Sequence, residues 1–284
     1  AVFAAAAFRL LPSFNRLNLS YSNFRFGIPS IDILYDEKIH ESFLPFDRLN
    51  ENFQNSYKEI DKFDSNLLIK NLYFGYNEDY ILEDINLNIK KNSITGIVGS
   101  SGSGKSTLVD LLIGLHKPLK GKILIDNTDI TLFDQNWRNL IGYVPQNIYL
   151  LDDSLKKNIA FGLNDSQIDK NKVINSLKLA ELYDFVKNNL KEGIYSNIGE
   201  GGIKLSGGQR QRIGIARALY KDPQIIFFDE FTSSLDLKTE DKILNTINAI
   251  KKNKTIIIIS HRESSLKVCD NIYEINRKKI QKIK

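Results

Sequence analysis

The fold is decided by the stretch Gly99-Ser100-Ser101-Gly102-Ser103-Gly104-Lys105-Ser106-Thr107. A short apolar run at residues 94–98 precedes this stretch, and Leu108, Leu111, Leu112 and Leu115 follow it at helical spacing. The order strand, glycine-rich loop, helix is the context that makes a G-x-x-x-x-G-K-S/T match specific. We therefore predict a phosphate-binding loop at residues 99–107 rather than an ordinary flexible loop.

Each residue type in this loop has a physical reason to be there. Glycines let the backbone curl so that successive N–H groups converge on phosphate oxygens, and the following helix adds the positive end of its dipole. We expect Lys105 to neutralise charge on the β- and γ-phosphates and Ser106 to offer its hydroxyl to Mg²⁺. Thr107 is expected near the α-phosphate.

A second apolar strand ends in two adjacent carboxylates, in Ile225-Ile226-Phe227-Phe228-Asp229-Glu230. Ligands of parallel sheets bind beyond the carboxyl ends of the strands, so we expect Asp229 beside the Mg²⁺. Glu230, one residue further on, is then placed to act on the water that attacks the γ-phosphate. Taken alone, the segment is also compatible with an ordinary strand that ends in a solvated acidic turn.

Composition excludes several classes of protein. Hydrophobic residues make up 42% of the 284 residues, which is typical of a folded globular chain and not of disorder or collagen. Cys269 is the single cysteine and cannot form an internal disulfide. The chain has 39 Lys and Arg against 34 Asp and Glu, and this net charge of +5 is too small to indicate nucleic-acid binding.

The first 37 residues contain an amphipathic helical pattern. Apolar residues recur at alternating spacings of three and four, at Phe14, Leu17, Tyr21, Phe24, Ile28, Ile31 and Tyr35. The other positions are rich in Ser, Asn and Arg, so that face must meet water, a bundle interior or a hydrated cavity. A solvated helix that caps a soluble domain is one interpretation. Gly27 and Pro29 predict a kink, and residues 38–65 are predicted to be a linker.

A family resemblance rests on Leu205-Ser206-Gly207-Gly208-Gln209-Arg210-Gln211-Arg212, which resembles the signature sequence of ATP-binding-cassette (ABC) ATPases. Four further segments match in the order typical of the family. They are Tyr76, where the family stacks an aromatic ring on adenine; Gln146, which resembles the Q-loop residue; Ser233-Ser234-Leu235-Asp236, which resembles the D-loop; and His261, which resembles the switch histidine. The resemblance covers roughly residues 66–276.

The resemblance implies an α/β P-loop NTPase fold at residues 66–284. Its parts are a RecA-like parallel-sheet core, an antiparallel β subdomain and an inserted α-helical subdomain at about residues 148–218. ATP and Mg²⁺ are the implied substrate and cofactor. The implied catalytic residues are Glu230, His261, Lys105 and Gln146, and the implied metal ligands are Ser106, Gln146 and Asp229. The implied nucleotide contacts are Tyr76, residues 99–107, and Ser206, Gly207, Gly208, Gln209 and Asp236.

Two further segments resemble those of exporter-type members, residues 198–202 and residues 153–162. In such half-transporters the last membrane helix runs directly into the ATPase, which implies that residues 1–37 are the C-terminal part of that helix. Five membrane helices are then expected upstream. Residues 6–16 resemble lipid-linked oligosaccharide flippases. The implied partners are a second ABC subunit, a homodimer rather than a heterodimer, and the transmembrane domain. The ATPase would face the cytoplasm at the inner or plasma membrane, with no nucleic acid bound.

Three alternatives remain open from the sequence. A non-transport ABC ATPase could act in nucleic-acid repair or translation, although such proteins typically carry a long coiled coil or two cassettes. A P-loop kinase for a small molecule would have no use for the signature segment. A catalytically inactive binding module is disfavoured by the intact Lys105, Asp229 and Glu230.

Overall fold

A computed structural model describes residues 2–40, 62–76, 79–130 and 135–284. The chain divides into two compact units, Ala1–Lys58 and Glu59–Lys284, which are described separately here.

In the described part of the first unit, residues 2–40, the chain forms the helix α1 (Val2–His40), with Pro12 and Pro29 inside it. The helix predicted from the spacing of apolar residues is thus confirmed, and it continues without interruption past Gly27 and Pro29. It also runs three residues into the segment predicted to be a linker, the rest of which lies largely outside the described residues. Of the described helices, none combines the length and apolar character needed to cross a bilayer.

The second unit is built on a six-stranded sheet with the strand order β10–β9–β3–β8–β7–β6. Its strands are β3 (Ile94–Val98), β6 (Ile141–Val144), β7 (Ile225–Asp229), β8 (Thr255–Ile259), β9 (Asn271–Asn276) and β10 (Lys279–Lys282). All neighbouring pairs are parallel except β9–β10, which is an antiparallel hairpin at the edge. The predicted parallel-sheet core is therefore confirmed.

A second, antiparallel sheet has the order β2–β1–β4–β5. Its strands are β1 (Asn66–Phe74), β2 (Leu82–Lys90), β4 (Lys120–Ile125) and β5 (Thr128–Asp129). The helices of this unit are α2 (Lys105–Leu112), α3 (Gln135–Asn139), α4 (Leu155–Ile159), α5 (Lys170–Leu179), α6 (Tyr183–Asn189), α7 (Gly207–Tyr220), α8 (Leu237–Ile250) and α9 (Glu263–Lys267). Single 3₁₀ turns occur at Asp165–Gln167, Gly193–Tyr195 and Glu200–Gly202.

The central sheet separates two hydrophobic cores. Every residue of β7 and β8 is buried, as expected for parallel strands covered on both faces. Side chains alternate along β7, so that Ile225 and Phe227 join the core shared with the antiparallel sheet and α2. Ile226 and Phe228 join the opposite core, which is shared with α4 to α8. Because successive side chains of a strand point to opposite faces, one sheet contributes to both cores.

Helix α7 approaches the segment after β6 closely at Gly214. A Cβ added to Gly214 would lie 2.3 Å from Cδ1 and 2.8 Å from Cγ1 of Ile148. The absence of a side chain at position 214 therefore makes room for Ile148. An alanine at this position would have to displace that side chain.

We expect Gly214→Ala to have opposite effects in two backgrounds. With Ile148 present, the new methyl group overpacks the contact, which typically costs about 1–3 kcal/mol and outweighs the helix propensity gained. With Ile148→Ala, only the propensity gain of about 1 kcal/mol remains. A double-mutant cycle of urea unfolding measures the difference, and additive free energies of unfolding would contradict the contact.

Candidate nucleotide-binding site

Three parallel strands end at one edge of the central sheet. In register, Ile97 of β3 lies opposite Ile259 of β8, and Asp229 of β7 lies opposite the same residue. The chain segments that leave these strands therefore begin side by side. They are the loop of residues 99–104, the pair Asp229–Glu230 and the pair Ser260–His261.

The glycine-rich loop curls as predicted and is packed too closely for side chains at two of its glycines. Gly99, Gly102 and Gly104 have φ values of 152°, 75° and 97°. A Cβ at Gly99 would lie 2.5 Å from the carbonyl oxygen of Ile275, and one at Gly104 would lie 2.9 Å from Cδ2 of Leu82. The backbone conformation thus favours glycine at both positions, and at Gly99 a side chain would also collide with backbone.

Lys105 is folded back over this loop. Its Nζ donates hydrogen bonds to the carbonyl oxygens of Gly99 (2.9 Å) and Ser100 (2.8 Å). The residue is 6% exposed. Burial lowers the pKa of Lys105, an effect opposed by the nearby carboxylates of Glu230 and Asp229. The predicted phosphate-binding lysine and both predicted carboxylates therefore share one electrostatic environment.

Two of the three predicted metal ligands, Ser106 and Asp229, are brought together, whereas the third, Gln146, is hydrogen-bonded to Glu230. Burial raises the pKa of Asp229, and a hydrogen bond with the Ser106 side chain acts in the opposite direction. Among the described residues no three His, Cys, Asp or Glu side chains cluster as a metal site. A hydroxyl and one carboxylate nevertheless fit Mg²⁺, which typically takes one or two carboxylates and completes its shell with phosphate oxygens and water.

Glu230 lies between Gln146 and His261. Nε2 of Gln146 donates a hydrogen bond of 2.7 Å to Oε2 of Glu230, and Nε2 of His261 lies 3.5 Å from Oε1. Glu230 has a φ of 46°, which is uncommon for a residue with a side chain. Beside it is a cavity of about 160 Å³ lined by Glu230, Thr232, Ser233, Ser260, His261 and Arg262.

Tyr76 lies on the loop between β1 and β2 and is 57% exposed. The loop is closed by a hydrogen bond from the Ile81 N–H to the Phe74 carbonyl oxygen (2.7 Å). A Cβ on Gly75 would lie 2.2 Å from the carbonyl oxygen of Asp79, so this closure requires glycine before Tyr76. The end of the loop adjoins the phosphate-binding loop, because a Cβ on Gly104 would lie 3.1 Å from Ile81.

The signature residues form a second group with different neighbours. Ser206 caps α7: its hydroxyl accepts from the Gln209 N–H (3.2 Å), while the Gln209 side chain accepts from the Ser206 N–H (2.8 Å). A Cβ on Gly208 would lie 3.1 Å from the carbonyl oxygen of Ser234. Asp236 caps α8 by accepting from the N–H and hydroxyl of Thr239. The signature and D-loop segments are thus adjacent.

No sequence pattern marked the ion pair next to His261, which joins the buried Glu240 to the partly exposed Arg262. Glu240 of α8 is 1% exposed and accepts hydrogen bonds from the Arg262 guanidinium and the Ser264 hydroxyl. Arg262 also donates to the carbonyl oxygen of Ser233 (3.2 Å). The pair joins partners 22 residues apart, and no local spacing marks it.

A parallel sheet with a glycine-rich loop, a strand-end acidic pair and a capped signature helix defines an ABC-type ATPase domain of the P-loop NTPase class. The family model described as ABC transporter matches residues 82–233, slightly more than half of the chain. The chain therefore belongs to the ABC transporter family.

Individual relatives agree with this assignment. The chain is 45% identical over 225 residues to the exotoxin translocation ATP-binding protein PaxB of Pasteurella aerogenes, covering 78% of this chain and 31% of that protein. It is 41% identical over 226 residues to the ATP-dependent lipid A-core flippase of Francisella novicida, covering 78% and 37%. The chain thus matches about a third of the length of these relatives.

A solved structure supports the fold. The structure of a bacterial Atm1-family ABC exporter with ATP bound aligns with a TM-score of 0.74 at 36% sequence identity. The alignment covers 80% of this chain and 39% of that chain.

We expect Asp229→Asn to stabilise the nucleotide-free chain. A raised pKa in the folded state contributes stability below the unfolded pKa, and this contribution is lost as the pH rises through the folded pKa. The variant should therefore melt higher at neutral pH and lose this advantage in acid. It should also lose most of the stabilisation by Mg-ATP, which is about 2.7 kcal/mol at a hundredfold excess over Kd.

Asp236→Asn is the matched control for the Asp229 variant. Hydrogen bonds from Thr239 lower the pKa of Asp236, so removing its charge should give the opposite sign at neutral pH. Thermal unfolding from pH 4 to 8 compares the two variants. A lower melting temperature for Asp229→Asn at neutral pH would contradict the prediction.

Proposed function

We propose that this chain hydrolyses ATP as the motor of an ABC exporter. The observation that supports this most directly is the position of Glu230, held by Gln146 and His261 at the sheet edge from which the phosphate-binding loop also leaves. This arrangement supplies a carboxylate for the attacking water next to groups that bind phosphate. Both functions are needed for in-line phosphoryl transfer to water.

Each residue is proposed to have a separate role in the reaction. Glu230 accepts a proton from the attacking water or orients it, and His261 donates a hydrogen bond to the γ-phosphate. Lys105 exchanges its two carbonyl partners for phosphate oxygens, and the N–H groups of residues 99–107 converge on the same oxygens. The Tyr76 ring stacks on adenine. Positioning and charge neutralisation thus provide most of the catalysis.

Mg²⁺ would be held by Ser106, Asp229 and Gln146 and would neutralise charge on the β- and γ-phosphates. Ser106 and Asp229 are already hydrogen-bonded to each other. The Gln146 side chain is hydrogen-bonded to Glu230, which directly follows Asp229 in the chain. The donor set of hydroxyl, carboxylate and amide oxygen suits a hard cation.

Export is proposed from the relatives together with the exporter-like segments at residues 153–162 and 198–202. The relatives named above are a translocation protein and a flippase, which favours transport over a role in nucleic-acid repair or translation. We assign residues 1–37 to the end of the last membrane helix and place the ATPase on the cytoplasmic side. The partners would be the transmembrane domain and a second copy of the chain. A lipid-linked saccharide is the proposed cargo.

We propose that each ATP site is composite. One subunit supplies the phosphate-binding loop and another supplies residues 206–209, here called the signature cradle, because the two groups have different neighbours. The loop packs against Ile81, Leu82 and the strand-end carboxylates, whereas Gly208 packs against Ser234 and Leu235. Ser206, Gly207, Gly208 and Gln209 at the start of α7, with Asp236, would complete the ATP site of a second subunit. Two such sites then form in a head-to-tail dimer.

The first test replaces the proposed base. Glu230→Gln keeps the side-chain volume and hydrogen bonding but cannot take a proton, and loss of a general base typically costs 10²–10⁴-fold in rate. We expect phosphate release to fall at least about a hundredfold while the Kd for Mg-ATP stays within about threefold. Near-normal turnover in this variant would contradict the assignment of Glu230 as the general base.

The second test asks whether two chains share a site. Lys105→Ala should disable the phosphate-binding loop, and Ser206→Arg should block the exposed cradle, so each chain alone should be inactive. A mixture can form one intact site from the loop of one chain and the cradle of the other, and should regain part of the activity. Ser154→Arg removes an N-cap of the same kind from α4 and is the control for loss of a cap. Mixed chains that stay inactive would contradict the shared site.

A further inference from the structure

Three aromatic rings form a cluster at the loop that carries Tyr76. The ring of Phe74 lies 5.2 Å from Tyr76 and 5.4 Å from His116, and Tyr76 lies 5.3 Å from His116. Phe74 and His116 are stacked at 28°, whereas Tyr76 is nearly perpendicular to both, at 83° and 85°. Edge-to-face contacts of this kind are favoured by the ring quadrupoles.

His116 is fixed by its chain neighbours on both sides. On its N-terminal side, the turn that ends α2 is closed by hydrogen bonds from the Leu115 N–H to the Asp110 carbonyl oxygen (2.8 Å) and from Gly114 to Leu111 (3.2 Å). On its C-terminal side, the Leu119 N–H donates to the Tyr73 carbonyl oxygen (2.9 Å). His116 therefore lies in the segment that links α2, which begins at the phosphate-binding loop, with β1, which ends at Phe74 two residues before Tyr76.

The cluster leaves Tyr76 supported and yet accessible. Phe74 is 6% exposed and belongs to a hydrophobic core, whereas Tyr76 is 57% exposed. An aromatic residue on an exposed loop normally loses side-chain freedom when a ligand stacks on it, and that loss weakens binding. Two perpendicular rings that already restrict the Tyr76 ring reduce this loss.

We propose that His116 is a positioning residue for recognition of the nucleotide base. It holds the Tyr76 ring in the orientation that stacks on adenine, and it does so without touching the phosphates. The inference rests on the proposed adenine contact of Tyr76 and adds a residue 40 positions away in the sequence. It predicts that the effect of His116 is confined to ligands that carry a base.

The test compares Mg-ATP with Mg-tripolyphosphate, which has the phosphates and no base. Kd values are measured for the 284-residue chain and its variants by isothermal titration. We expect His116→Ala to weaken ATP binding about two- to tenfold, the equivalent of losing one aromatic pair, and to leave tripolyphosphate binding unchanged. His116→Phe should retain ATP affinity, because the ring is kept. Leu115→Ala, at an exposed neighbouring position, should match the wild type.

Tyr76→Ala separates failure of this inference from failure of the proposed function. If His116 acts through Tyr76, the double variant should bind ATP no more weakly than Tyr76→Ala alone. An effect of Tyr76→Ala without one of His116→Ala would overturn the inference and leave the adenine contact standing. If neither variant weakens ATP, both the contact and the inference are wrong. Equal weakening of tripolyphosphate by His116→Ala would also overturn the inference, since it would show a structural effect on the phosphate-binding loop.

Discussion

The parallel pairing of β3, β7 and β8 is the constraint on which the site depends. Val98, Asp229 and Ile259 end these strands at one edge, and the residues that follow supply the glycine-rich loop, Glu230 and His261. The register is fixed because side chains of β7 alternate between two different cores. A slip of one residue would exchange their faces and separate the residues of the candidate site. The packing that stabilises the sheet therefore also sets the geometry of the site.

Burying charged side chains at the end of the sheet costs desolvation free energy, which hydrogen bonds within the site partly offset. Burial lowers the pKa of Lys105 and raises the pKa of Asp229, so that both shifts favour the neutral form. Lys105 bonds to loop carbonyls, Asp229 to Ser106, and Glu230 to Gln146. Each of these contacts involves a group proposed to bind phosphate, metal or water. At Lys105, Asp229 and Glu230, ligand binding would thus exchange existing hydrogen bonds, which limits the free energy required to keep these groups buried without a ligand.

The sequence was sufficient wherever a feature was local. The glycine-rich loop, the strand ending at Asp229 and the cap at Ser206 each follow from a few consecutive residues, and the fold class was confirmed. Features made by tertiary packing had no such signal. Glu240 meets Arg262 across 22 residues, and His116 meets Tyr76 across 40. Gly75 is required by the close approach of the Asp79 carbonyl oxygen, which no local pattern marked.

The short segment after β6 connects the two groups of site residues. Gln146 bonds to Glu230, while Pro145 accepts a hydrogen bond from Gln211 of α7 (3.5 Å) and Ile148 fills the space left by Gly214 on the same helix. Since α7 begins at the signature residues, a displacement of Gln146 would reach that helix through directly adjoining residues. A helix of 14 residues is about 21 Å long, so a small rotation about these contacts moves its end by more than the contacts themselves. Residues 145–148 and α7 therefore form a contiguous path of contacts from Glu230 to the signature residues, along which the proposed hydrolysis could be coupled to movement of that helix.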